Sequence, residues 1–137
     1  MSHTDSLLAD ASVWAAAVDE KDRFHESARK IATRVEISLA ALDLTLYEIA
    51  NAVGVKMGMP VKAREIADLV FERCRGKIVT VDPVLLQSIC ELTGEHSLTA
   101  YDAAYVAAAR RHGMTLVSAD IRDLVSKGLA VTPDAAL

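Results

Sequence analysis

The chain has 137 residues, 52% of them hydrophobic and 25% charged, a composition that excludes disorder and allows one domain with a substantial core. No uncharged run is long enough for a membrane helix, and aromatics, at 4%, are too few for a surface that stacks many bases. The net charge of −4 is unusual for a nucleic-acid binder, yet setting aside four carboxylates gathered around a metal leaves a neutral remainder, so a polyanionic substrate stays open.

In chain order, "SLLAD" (6–10) predicts a short buried strand, and "SVWAAAV" (12–18) turns helical. A surface helix is expected over 21–36, with Phe24, Ala28, Ile31 and Val35 on one face. "ISLAAL" (37–42) has the length of a second strand. A helix over 43–58 follows with the stripe Leu46, Ala50, Val53 and Met57, ended by Gly58 and Pro60. A fourth helix occupies 60–75, begun by Pro60 and stopped by Gly76. "KIVTVD" (77–82) is a β-branched strand, and 82–94 a helix capped by Asp82 with Pro83 in its first turn. An Ala-rich helix over 99–112 leads to the strand "MTLVSAD" (114–120), a short helix over 121–128 and a last strand over 129–133.

About five short apolar strands with intervening helices predict an α/β fold, a mainly parallel sheet covered on both faces. The strandless stretch 43–76 reads as a helical hairpin beside it. There are no repeats, linkers or low-complexity segments, so 1–137 is expected to be a single domain.

The N-terminal "MSHTDSLLADAS" lacks a basic region and a long apolar run, so no secretory signal is expected and the cytoplasm is the expected compartment. Cys74 and Cys90 have no CxxC spacing and are expected to be buried free thiols. His3, His25, His96 and His112 show no ligand spacing. Carboxylates remain as the site-forming residues, and their hard oxygens suit Mg²⁺ or Mn²⁺ over zinc.

Four acids stand where strands stop or helices start: Asp10, Glu48, Asp102 and Asp120. Each has a structural explanation. Thr45-x-x-Glu48 and Thr99-x-x-Asp102 fit the capping box, while Asp10 and Asp120 suit N-caps. Taken together they suggest more. Strand ends and helix starts of an open α/β sheet converge on one edge, and gathered carboxylates there repel one another unless a cation intervenes. Asp82 is left as a cap. Ser12, two residues after Asp10, either places a hydroxyl beside a metal or caps the helix. Asn51, one turn after Glu48, either holds that carboxylate or satisfies a core hydrogen bond. Tyr101 and Tyr105 are expected in the core, and Ser118 and Asp123 are open to joining the site but carry no signal of their own.

The segments "LLADASV", "LTLYEIANAV" and above all "LTAYDAAYVAAARRHGMTLVSAD" resemble the PIN-domain family, in particular the VapC-type toxins of toxin–antitoxin pairs, over nearly the whole chain. On that resemblance the family's acidic quartet falls on Asp10, Glu48, Asp102 and Asp120, and its small hydroxyl on Ser12; Ser118 stands where the family often has Thr. The resemblance implies a Mg²⁺- or Mn²⁺-dependent endonuclease that hydrolyses RNA, a homodimer, and a small antitoxin that blocks the acidic site. Asp10, Asp102 and Asp120 would bind metal, and Glu48 would bind it or orient the water. No Ser–His or Cys–His pair offers a covalent route.

Basic clusters that could face RNA are Arg29, Lys30 and Arg34; Lys56, Lys62 and Arg64; Arg73, Arg75 and Lys77; and Arg110 with Arg111. The helical hairpin carries two of them and is the expected phosphate-facing wall, unless it receives a partner's peptide. Two competing readings are an RNA-processing nuclease without a toxin role and a catalytically silent binding module. A phospho-acceptor receiver domain fits poorly, because "SLLAD" lacks an acid pair and no lysine follows "TLVSAD" before Lys127.

Overall fold

The computed structural model describes residues 6–137; His3 and the rest of 1–5 lie outside the described residues. The chain alternates strands and helices: β1 (Leu7–Ala9), α1 (Ala11–Val18), α2 (His25–Thr33), β2 (Leu39–Leu42) and α3 (Asp43–Ile49). Next come α4 (Pro60–Arg73), β3 (Ile78–Val79), α5 (Pro83–His96), α6 (Ala100–His112), β4 (Thr115–Val117) and α7 (Pro133–Ala136). Two π-helical segments occur as well, Ala50–Lys56 after α3 and Ile121–Val125 after β4.

Among the described residues the sheet has four strands in the order β3-β2-β1-β4, all pairings parallel. Its alternation builds two cores, as period-two side chains require. Leu7, Ala9, Leu39, Ala41 and Val117 face α1, α2 and α4, while Leu8, Ala40, Leu42 and Leu116 face α5 and α6. Both faces are covered, so the strands read as apolar runs.

The expected fifth strand is a single parallel bridge, Val117 to Val131. Val131 exchanges bonds with Leu116 and Ser118, but the Leu129 N–H is already bound to the Leu124 carbonyl. Two residues beyond the bridge, Pro133 opens α7 behind a Thr132 cap. One residue is all that remains for pairing.

Other expectations shift for physical reasons. Helix α2 stops at Thr33, leaving Val35 outside it and 85% exposed. The helix expected over 43–58 widens into a π-helix at Ala50, so its buried line is Thr45, Ile49 and Val53, while Met57 is 63% exposed. With α4 it still forms the expected hairpin, closed by Met59 N–H on the Val53 carbonyl at 3.0 Å. Cys74 is buried, and burial pushes its thiol up to about 11; Cys90 is exposed on α5, contrary to expectation. At the far end of α6, Gly113 takes φ +63 and turns the chain back into β4.

Because β1, β2 and β4 are parallel, their C-terminal ends open on one edge of the sheet. Asp10 follows β1, α3 follows β2, and Ser118 to Asp120 follow β4.

Candidate active site

Asp10 caps α1 with extended backbone and is 6% exposed. Its Oδ1 accepts the Ser12 N–H at 3.0 Å and also the Ser12 hydroxyl. Burial is the dominant influence on this carboxyl and pushes it up to about 6, although hydrogen bonds from Ser118 and Ser12 oppose the shift.

Ser12 is therefore not the cap. Its hydroxyl donates a hydrogen bond to Asp10 and accepts the Ala119 N–H at 2.8 Å, tying the end of β1 to the end of β4. Ser118 is fully buried, and its hydroxyl accepts the Asp120 N–H at 2.9 Å. Two serines thus brace the strand ends that carry Asp10 and Asp120.

Asp120 caps the second π-helical segment and accepts the Asp123 N–H at 3.0 Å. Asp102 sits in the first turn of α6. Thr99 caps that helix by accepting the Asp102 N–H at 3.1 Å, but among the described residues no return bond from the Asp102 carboxylate closes the box. The Asp102 side chain is left to its acidic neighbours. Its carboxyl is held above the usual range by partial burial first, then by the charges of Asp120, Asp123 and Glu48; Lys127 opposes them.

One carboxylate oxygen each from Asp102, Asp120 and Asp123 lie within 4.8 Å of one another. Asp123 is the member that the sequence left open to join the site without a signal of its own. Its mark in the sequence is the i, i+3 spacing from Asp120, which a helical turn converts into adjacency.

Glu48 reaches the same edge from the last turn of α3. The Thr45–Glu48 capping box does not form, because α3 begins at Asp43 and Thr45 is a fully buried interior residue. The Glu48 carboxylate instead accepts the Tyr105 hydroxyl at 2.6 Å. Asn51 is exposed, and no hydrogen bond joins it to Glu48 among the described residues; the Glu48 carboxylate is taken by Tyr105 instead. Tyr105 is in the core as expected, 1% exposed, whereas Tyr101 is 60% exposed.

Asp82 is the expected cap, accepting the Leu85 N–H at 2.8 Å, and Arg111 grips both its oxygens at 2.7 Å. The basic clusters are largely engaged elsewhere. Lys62 and Arg64 pair with Glu65 and Asp68 of their own helix. The Arg73 Nη2 lies 3.1, 2.6 and 2.6 Å from the Ile31, Arg34 and Ile37 carbonyls. The hairpin's cations thus read mainly as solvated or structural, leaving Lys56 and Arg75 outside any ion pair among the described residues.

The donor set at this edge is all oxygen, without histidine or cysteine, and holds several like charges at close range. That chemistry fits a hard divalent cation.

A family model described as the PIN domain matches residues 7–126. Ribonuclease VapC3 of Pyrobaculum aerophilum is 33% identical over 132 residues, covering 93% of this chain and 98% of that protein. The crystal structure of PAE2754 from Pyrobaculum aerophilum superposes with a TM-score of 0.71 at 26% identity, covering 96% of this chain and 86% of that one. A toxin–antitoxin complex from Klebsiella pneumoniae shares the fold, with a TM-score of 0.67 at 18% identity and coverage of 93% and 98%.

Proposed function

The chain belongs to the PIN-domain family, and from that membership we propose that it is a divalent-metal-dependent ribonuclease, the toxin of a toxin–antitoxin pair. The observation that carries the reading is the meeting of Asp102, Asp120 and Asp123 at the sheet edge, with Glu48 close enough to raise the Asp102 carboxyl and Asp10 at the end of the adjacent strand β1. Its catalytic residues are Asp10, Glu48, Asp102 and Asp120, with Asp123 as a fifth acid.

Asp102 and Asp120, assisted by Asp123, would hold Mg²⁺ or Mn²⁺ at the open edge, and Asp10 would face it from the buried side. Such an ion supplies an activated water and relief of charge on the phosphate and leaving oxygen. Burial keeps Asp10 in a low-dielectric wall where its interaction with a cation is stronger than in water. Ser12 and Ser118 hold Asp10 and the Asp120 backbone in register, so two ligands from different strands keep a fixed separation. Glu48, hydrogen-bonded through one oxygen, would bind the ion with the other or orient the water whose oxygen bonds to phosphorus, while the ion offsets charge on the leaving oxygen.

The enzyme would work in the cytoplasm as a homodimer, restrained by a small antitoxin. The Klebsiella fold relative is a toxin–antitoxin complex, and no helix of this chain among the described residues is long and apolar enough to cross a membrane. Cleavage of a structured RNA pool by wild type and Asp102→Asn, each with Mg²⁺, Mn²⁺ or EDTA, tests the reading. Metal-dependent cutting lost in a folded variant is expected. Equal behaviour of the two proteins would leave a silent binding module.

A further inference from the structure

Tyr105 and Thr45 form a polar pair inside an otherwise apolar layer. Tyr105 is 1% exposed, Thr45 is fully buried, and their hydroxyls lie 2.7 Å apart. The tyrosine oxygen also stands 2.6 Å from Glu48 Oε1. A carboxylate oxygen accepts, so the tyrosine hydroxyl donates its hydrogen bond to Glu48. Its oxygen then accepts from Thr45. The chain Thr45 to Tyr105 to Glu48 has one direction, and no hydroxyl in it is left unpaired.

Packing does not require this hydroxyl, since phenylalanine fills the same volume. Burying it is costly unless it is bonded, and its bonds run to the one site carboxylate on α3. Asp102 and Tyr105 are one turn apart on α6, so that helix offers a carboxylate and a donor on the same side. Glu48 is held by the donor next to a charge that repels it. A part-exposed glutamate without that bond would swing towards water and away from Asp102.

Resting on the cation site described above, we propose that Tyr105 is a positioning residue. Its buried hydroxyl, braced by Thr45, pins one oxygen of Glu48 so that the other stays available to the cation held with Asp102. The tyrosine touches neither substrate nor metal. Partners of this kind commonly change metal affinity by roughly ten- to a hundredfold when removed.

The test is Mn²⁺ binding without RNA, followed by calorimetry or by the spin-resonance signal of free Mn²⁺. Wild type, Tyr105→Phe, Glu48→Gln and the double variant are compared, with unfolding midpoints recorded for each. Tyr105→Phe is expected to weaken Mn²⁺ about tenfold, and to change nothing further when Glu48 is already glutamine. A purely structural tyrosine would weaken both backgrounds alike, and that outcome overturns the proposal. So does equal affinity of wild type and Tyr105→Phe. Should Tyr105→Phe fail to fold, Thr45→Val must show the same background-dependent loss, and its absence is equally decisive. A wild type that binds no Mn²⁺ overturns the cation site itself and this inference with it; a wild type that binds alongside an unaffected Tyr105→Phe overturns the inference alone.

Discussion

The Ser12 hydroxyl accepts the Ala119 N–H at 2.8 Å while donating to Asp10, so one side chain fastens the loop after β4 to the carboxylate after β1. Ser12→Ala removes both bonds, leaving a part-buried N–H without a partner. The expected cost is about 1–3 kcal/mol of stability, read from urea midpoints in EDTA. Cleavage should fall as well, because Asp10 and Asp120 lose their fixed spacing. An unchanged midpoint would show that water replaces the bridge without loss.

Asp10 gives the metal-free protein a defined pH dependence. Its pKa is about 6 in the folded chain against 3.8 unfolded, so the folded state holds the proton more tightly. Below pH 3.8 both states are protonated and the group contributes no difference. As pH rises through the window to about 6, stability falls, by a total on the order of 3 kcal/mol. Asp10→Asn is expected to flatten this slope and to be more stable than wild type at neutral pH in EDTA. Urea midpoints from pH 4 to 8 for both proteins check it. Parallel curves would mean that Asp10 is not strained by burial.

Asp102→Asn and Asp123→Asn separate the members of the cluster. Both relieve repulsion, so neither should lower thermal stability without metal. Asp102→Asn is expected to abolish metal-dependent cleavage. Asp123→Asn, whose side chain is 51% exposed, should retain cutting but need roughly tenfold more Mg²⁺. Titrating Mg²⁺ against initial cleavage rate distinguishes the two.

Arg73 serves the fold. It places one guanidinium nitrogen against carbonyls at the end of α2 and in the loop beyond, joining α4 to the entry of β2. Arg73→Ala is expected to cost about 2–3 kcal/mol, since these are bonds to a charged donor. Per folded molecule, cleavage should be unchanged. A selective loss of activity at full stability would instead place Arg73 on the RNA path.

The α/β class, the hairpin and four of the helix caps were legible in the sequence because they depend on local chemistry. Apolar runs of strand length, the Asp82–Pro83 pair and the Thr99 cap act over a few residues, and their geometry follows from backbone sterics and orphan N–H groups. The edge on which Asp10 and Asp120 meet was legible too, given parallel strands.

Tertiary structure decided the rest. Thr45 and Glu48 carry a capping-box pattern, yet α3 starts two residues earlier and Tyr105, 57 positions from Glu48, takes the carboxylate. Asn51, one turn after Glu48, is exposed and makes no bond to it among the described residues, since the carboxylate is already bound from α6. Val131 kept one bridge where a strand was expected, because Leu124 had already claimed the neighbouring N–H. Asp123 stands three residues after Asp120, a spacing that became adjacency only when the turn after β4 formed beside Asp102. Local propensity sets which bonds a residue is able to make; which of them it makes depends on what the fold brings within 3 Å, and that is a property of the whole chain.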